Sequence, residues 1–267
     1  MSYLVLARKY RPQRFSEIIG QETVAQALQN AITSGKIGHA YLFSGPRGVG
    51  KTTAARIFAK ALNCKEGPAA EPDNKCQICK EITEGNALDV LEIDGASNRG
   101  IDAIKALREN VKFAPAYARF KIYIIDEVHQ LSGDGFNALL KPLEEPPSHI
   151  IFIFATTEPQ NIPETILSRC QRFNFKLITT ATIEKHLKTL AAKEKIVISE
   201  EALNIISQAA QGSMRDAQST LDQVISFVGM GQSIEGTTVR SILGITSQEL
   251  LSKFSSSIFG QQTEEVL

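Results

Sequence analysis

Between residues 20 and about 175 the chain alternates helical hydrophobic periodicity with short apolar runs. The runs HAYLFSG (39–45), ALDVLEID (87–94), FKIYIID (120–126), HIIFIFATT (149–157) and QRFNF (171–175) are predicted strands. IYII and IIFIF lack polar alternation, which marks strands covered on both faces, as in a parallel sheet with helices on each side. The expected fold class is α/β. After residue 178 the strands stop, and ATIEKHLKTLAAKEK, SEEALNIISQAAQG, SMRDAQSTLDQVISFVG and EGTTVRSILG each repeat apolar positions at helical spacing. Ser199 with Glu201, and Ser213, serve as helix starts, and Gly212 and Gly229 as stops. An α/β domain over 1–177 and a small all-helical domain over 178–242 are therefore expected. SQELLSKFSSSIFGQQTEEVL begins a further helix without a stop signal, so 243–267 reads as the start of a cut third domain. In NALLKPLEEPP, Pro142 removes a helical hydrogen bond, which predicts a helix that ends or bends near Lys141.

Composition narrows the function classes. The 267 residues are 43% apolar and 22% charged, ordinary for a globular protein. The 29 basic and 29 acidic residues cancel, so any attraction to nucleic acid must be local, and a membrane surface is not expected as a partner. No apolar run approaches the ~20 residues that span a bilayer, and MSYLVLARKYRPQRF lacks the apolar core of a signal peptide. A cytoplasmic location is expected. The four cysteines, two of them in a C-x-x-C, suit metal binding better than a disulfide framework.

GPRGVGKT (45–52) matches G-x-x-x-x-G-K-[ST], follows a strand and opens a helix, the context a phosphate-binding loop needs. Gly45, Gly48 and Gly50, with Pro46 and Val49 between them, let backbone N–H groups wrap phosphates. Lys51 reaches the outer phosphates, Thr52 offers a hydroxyl to magnesium, and Thr53 follows in the helix. IYIIDE closes a second buried strand with Asp126 and Glu127. The first suits the metal shell, and the second suits orienting or deprotonating an attacking water. On its own such an acidic pair is as often a solvated strand end.

GPRGVGKTT, IIDEVHQLS, FNALLKPLEEPP, FATTEPQNIPETILSRCQRF and GSMRDAQS, in this order and spacing, resemble the AAA+ ATPase subunits of bacterial replicative clamp loaders, the tau/gamma family of DNA polymerase III. The resemblance covers essentially the whole chain, from YLVLARKYRPQRFSEIIGQE onward, and ILSRC separates clamp-loader ATPases from most other AAA+ proteins. It implies a P-loop AAA+ domain followed by a helical lid, with ATP and magnesium as cofactors. It further implies that Thr157 senses the γ-phosphate, that Arg215 at the start of a lid helix is a second sensor, and that Arg169 is an arginine finger serving a neighbouring subunit. Alone, Thr157 reads as a strand cap and Arg215 as a solvated residue. Tyr10, Arg11, Pro12 and Ile19 resemble the stretch that lies against the adenine. His129 reads as structural or interfacial.

In that family the insertion after the P-loop helix carries four cysteines spaced C-x8-C-x2-C-x2-C and binds structural zinc. Here CKEGPAAEPDNKCQICK keeps Cys64, Cys76 and Cys79 but has Asp73 in the second place. Zinc accepts carboxylate oxygen as well as thiolate, so a site with Asp73 or water in the fourth position is one outcome. A degenerate loop with three free thiols is the other. Either way the insertion (64–80) reads as a surface knob apart from the chemistry, with Cys170 too far along the chain to complete it.

The resemblance implies other clamp-loader subunits, the sliding clamp and primed DNA as partners, and ATP hydrolysis expected only in the assembled complex. The chain alone is expected to be monomeric or weakly associating. Arg99, Lys105 and Arg108 are the candidates for a DNA-tracking stripe, against the plainer reading of a solvated helix face. Two rivals stand beside this reading: an AAA+ DNA motor or helicase of recombination, and a nucleotide-locked scaffold that does not hydrolyse.

Overall fold

The computed structural model describes residues 4–97, 104, 106, 107, 109–229, 231–245 and 256. Two compact units emerge: one holds Ala7–Ile178 with Ser213–Arg215, the other the described residues up to Leu6, Thr179–Gly212 and the described residues from Asp216 onward. The segment 213–215 groups with the first unit although it follows the expected boundary at 177. Leu6 joins the second unit because its N–H donates to Asp222 Oδ2 at 2.6 Å.

The first unit contains five parallel strands, β1 (Ala40–Ser44), β2 (Val90–Asp94), β3 (Lys121–Asp126), β4 (Ile150–Thr156) and β5 (Gln171–Asn174), in the order β2-β3-β4-β1-β5. All four pairings are parallel. The unbroken apolar runs have the predicted cause: alternate side chains enter two different cores. Ile122 and Ile124 of β3 join Tyr41, Phe43, Ile57, Phe58 and Leu28 on one face. Tyr123 and Ile125 join Phe152, Phe154, Leu139 and Ile166 on the other. The first core packs against α2 (Glu22–Thr33) and α3 (Lys51–Asn63), the second against α5 (Gly133–Glu144) and α6 (Glu164–Leu167). Two short helices, α1 (Leu6–Lys9) and α4 (Gln77–Glu84), also occur among the described residues.

Of the expected end or bend near Lys141, the end is not seen. Helix α5 continues past Lys141 to Glu144, with Pro142 inside it and buried. Pro142 gives up one bond, to the carbonyl four residues back, yet the turn around it holds, with Glu145 N donating to Lys141 O at 3.1 Å. At the other end, Ser132 Oγ accepts from Gly135 N, an N-cap.

The second unit contains α7 (Thr180–Glu194), α8 (Glu200–Ala209), most of α9 (Met214–Val228) and α10 (Gly236–Leu243). Ser199 caps α8 through Ala202 N at 3.2 Å, as its position predicts. Gly212 and Gly229 adopt φ of +86° and +88°, the left-handed conformation that ends helices. The expected helix beyond 246 lies outside the described residues, residue 256 excepted. Among the described residues no helix is long and apolar enough to cross a membrane.

Candidate nucleotide site

The site gathers at the carboxyl ends of β1, β3 and β4, where open parallel sheets bind ligands. After β1 the chain turns through Gly45, Gly48 and Gly50, all at positive φ. At Gly45 a Cβ would lie 2.3 Å from Phe175 O, and at Gly48 1.9 Å from Ser213 Oγ, so both need glycine for space as well as for backbone angle. Val49 is buried and anchors the turn.

Lys51 opens α3, and its ammonium donates to Gly45 O and Pro46 O, each at 2.8 Å. Burial lowers its pKa, while Glu127 and Asp126 pull it back up. Next to it, Thr52 Oγ1 donates to Asp126 Oδ2 at 2.7 Å. A hydroxyl and a carboxylate so paired could hold a magnesium ion. Thr53 Oγ1 accepts from Arg11 Nε at 3.0 Å. Burial, and then Arg56, push the Arg11 guanidinium down to about 10, so at neutral pH it remains a cation. Ile19 lies half-buried just before Gly20, whose φ is +73°. Arg215 joins the loop by its backbone, its N–H donating to Gly48 O at 3.3 Å.

Glu127 adopts φ +46° and ψ +47°, a left-handed conformation that strains a residue with a Cβ and concentrates at functional sites. Its N–H turns back to Asp126 Oδ1 at 3.0 Å. Gly95 N braces the same turn from Asp126 O at 2.8 Å, and a Cβ at Gly95 would stand 2.6 Å from Glu127 O. Glu127 Oε2 accepts from Thr157 Oγ1 at 3.0 Å and from Thr157 N at 3.2 Å. Thr157 lies one residue past the end of β4, and Thr156, the last strand residue, is fully buried and bonds His129 Nδ1 at 3.0 Å. His129 Nδ1 is also 3.4 Å from Glu127 Oε2. Sequence reasoning missed Gly95, Thr156 and the strain at Glu127, since nothing in their spacing signals a backbone angle.

Arg169 stands apart from this group. Its guanidinium pairs with Glu144 Oε1 at 2.8 Å and donates to Thr165 O at 2.6 Å. The candidates Arg99, Lys105 and Arg108 lie outside the described residues.

The ligand atoms of Cys64, Asp73, Cys76 and Cys79 lie within 4.8 Å of one another. A tetrahedral zinc with bonds of about 2.3 Å to sulfur separates its ligands by about 3.8 Å, so the four residues could hold one by closing in by about 1 Å. Asp73 Oδ1 accepts from Lys75 N at 2.9 Å and Cys76 N at 3.2 Å, and these bonds hold its carboxyl well below the usual range. Burial pushes the Cys64 and Cys79 thiols up, a cost that a bound cation offsets. Cys170 packs instead against the α5 and α6 core, where burial pushes its thiol up to about 12.

Residues 20–179 match the family described as DNA polymerase III, delta subunit, and residues 182–230 the DNA polymerase III clamp loader subunit, ATPase lid domain. Along its full length the chain is 52% identical to the DNA polymerase III subunit tau of Bacillus subtilis, covering 47% of that protein. It is 48% identical to the subunit gamma of Buchnera aphidicola subsp. Schizaphis graminum over 95% of this chain and 70% of that one. The chain belongs to the DNA polymerase III clamp-loader family. It spans about half the length of the Bacillus relative and 38% of the Escherichia coli subunit tau, to which it is 50% identical over 244 residues. The clamp-loader chain also shares its fold with RuvB of Thermotoga maritima, a Holliday junction branch migration motor, at a TM-score of 0.63 and 19% identity over 93% of this chain and 79% of that one. A parallel-sheet AAA+ domain followed by a helical lid is therefore the fold of this clamp-loader chain.

Proposed function

We propose that this clamp-loader chain is an ATP-driven subunit that binds and hydrolyses ATP to open the sliding clamp and load it on primed DNA, acting with other clamp-loader subunits in the cytoplasm. The observation that carries the reading is the 2.7 Å pairing of Thr52 with Asp126 at the mouth of the glycine loop. Thr52 and Asp126 are the residues that would hold magnesium, which would supply positive charge to offset that of the phosphates. Lys51 exchanges its two loop carbonyls for outer phosphate oxygens. Glu127 orients the attacking water and takes its proton. Its Oε2 is held by the hydroxyl and N–H of Thr157, so a γ-phosphate that claims the hydroxyl loosens that hold while the N–H keeps Glu127 in place. Arg215, beside Gly48, senses the same phosphate, and the segment around Arg11 and Ile19 borders the base.

Arg169, tied to Glu144 on this chain, serves the nucleotide of a neighbouring subunit, so hydrolysis depends on assembly. The cluster at Cys64, Asp73, Cys76 and Cys79 would hold a structural zinc. Three thiolates, one carboxylate and Zn²⁺ leave a formal charge of −2, the same as four thiolates and Zn²⁺.

The test is ATP turnover by the chain mixed with its clamp-loader partners, with and without clamp and primed DNA. Stimulation by both is expected. Fast turnover in the isolated chain, indifferent to the clamp, would point to a DNA motor, and absent turnover in the complete assembly to a locked scaffold.

A further inference from the structure

The cysteine-bearing insertion is bonded to more than its own cluster. Glu71 Oε2 accepts from Phe15 N at 3.0 Å and Oε1 from Ser16 N at 2.9 Å, while Gln29 Nε2 reaches the same carboxylate at 3.0 Å. Asn74 Nδ2 donates to Gln13 O at 3.2 Å. Lys60, on α3 and 1% exposed, donates to Asn74 Oδ1 at 2.6 Å, to Gln13 Oε1 at 2.7 Å and to Gln13 O at 3.1 Å. Thr83 Oγ1 lies 3.1 Å from Gln13 Oε1 and 2.9 Å from Cys79 O.

From Gln13 the bonds continue toward the nucleotide site. Gln13 Nε2 donates to Arg11 O at 2.9 Å, and Arg11 Nε donates to Thr53 Oγ1 at 3.0 Å, one residue from Thr52. Of its own, residues 11–17 have a 3-10 turn at Phe15–Glu17 and a bond from Gln13 N to Glu17 Oε2 at 2.7 Å, with Phe15 buried in the first core. The remaining ties, to Glu71, Asn74 and Lys60, come from outside it.

We propose that the cysteine-bearing insertion is a positioning element for the nucleotide site, acting through Gln13 and Glu71 to hold residues 11–16 so that Arg11 stands against the P-loop helix. This corrects the expectation of a knob apart from the chemistry, and it rests on the nucleotide reading above. Arg11 brings a cation to the start of α3, where a polyanionic nucleoside triphosphate gains from it. A segment that samples other positions lowers apparent affinity in proportion to the time it is away. Gln13 and Glu71 touch no nucleotide and act only by fixing Arg11. By linkage, a metal that orders the insertion strengthens nucleotide binding, and nucleotide strengthens metal binding by the same factor.

The experiment is a fluorescence titration of the chain with N-methylanthraniloyl-ADP, comparing Gln13→Ala, Glu71→Ala, Glu71→Gln and Lys51→Ala, with folding followed by circular dichroism. Glu71→Ala and Gln13→Ala are expected to weaken binding about tenfold while remaining folded, the loss typical of a hydrogen bond to an ionised group. Glu71→Gln, which keeps an acceptor oxygen, recovers part of it. In the assembly, Glu71→Ala raises KM for ATP and leaves kcat at saturation unchanged, a split that a general loss of folded protein does not give. Cobalt(II) titrated into the cluster binds more tightly with ADP present, and Gln13→Ala removes that gain without altering the cobalt spectrum. If Glu71→Ala does not fold, Thr83→Val makes the same comparison. Wild-type affinity in folded Gln13→Ala and Glu71→Ala, with binding abolished in Lys51→Ala, overturns the positioning role alone. Binding that survives Lys51→Ala overturns the nucleotide site itself.

Discussion

At the scale of single residues the site depends on a few side chains held in unusual positions. Lys51 is 6% exposed and donates to two loop carbonyls, bonds that a phosphate oxygen can replace as acceptor. Lys51→Ala is therefore expected to abolish nucleotide binding while the fold survives, as read by calorimetric titration with ATP. Gly48 and Gly50 separate two costs of a side chain. A Cβ at Gly50, φ +106°, meets nothing within 4 Å, whereas at Gly48, φ +74°, it meets Ser213 Oγ at 1.9 Å. Gly50→Ala should carry backbone strain of about 1–2 kcal/mol. Gly48→Ala should carry that strain and displace Ser213 as well, giving the lower thermal midpoint of the two by calorimetry. Equal midpoints would show that Ser213 moves aside at no cost.

At the scale of elements, the strands were readable because both faces of β3 and β4 are buried. The helices followed from spacing and capping residues such as Ser199. Less readable was α5, where Pro142 suggested an earlier end than the helix has. Tertiary burial of Pro142 and Leu143 outweighs one lost bond near a terminus. In the second unit, His186 of α7 faces Gln218 of α9, their Nε2 atoms 3.2 Å apart. Burial, and then Lys193, lower the His186 pKa below 6.5. Between its folded and unfolded pKa values the unfolded chain binds more protons, so stability rises with pH through that window. The contribution is fully present above 6.5 and is lost as pH falls toward the folded pKa. Urea midpoints at pH 7.5 and 5.5 should therefore differ less in His186→Gln than in the unchanged chain.

At the scale of the whole molecule, the residues of the ATPase reading divide into those that meet on this chain and one that does not. Thr52, Asp126, Glu127 and Thr157 are linked by hydrogen bonds, with Lys51 in the glycine loop beside them, whereas Arg169 is paired with Glu144. Since a finger supplied by a neighbour is worth roughly 10³ to 10⁵ in rate, Arg169→Ala should leave nucleotide binding by the isolated chain intact. In the assembly it should slow turnover by at least two orders of magnitude. Undiminished assembly turnover would sink the finger role. The exposed pair Arg169–Glu144 is itself worth at most about 1 kcal/mol, little enough to be given up when a neighbour's phosphates are presented.

Sequence alone determined the layers and the family. Apolar runs dictate a sheet buried on both faces, helical spacing dictates the lid helices, and the order glycine loop, acidic pair, ILSRC dictates the family, because each is written in residues near one another along the chain. Tertiary structure decided what depends on distant residues and backbone angles. It set Glu127 in a left-handed turn braced by Gly95, closed Thr157 onto Glu127 across two strands, and brought Asp73 among three thiols. It also joined the insertion to Gln13 through Lys60, 47 residues away in the chain. Such contacts leave no periodicity, since their energy comes from groups that meet only once the sheet has ordered the loops at its carboxyl edge.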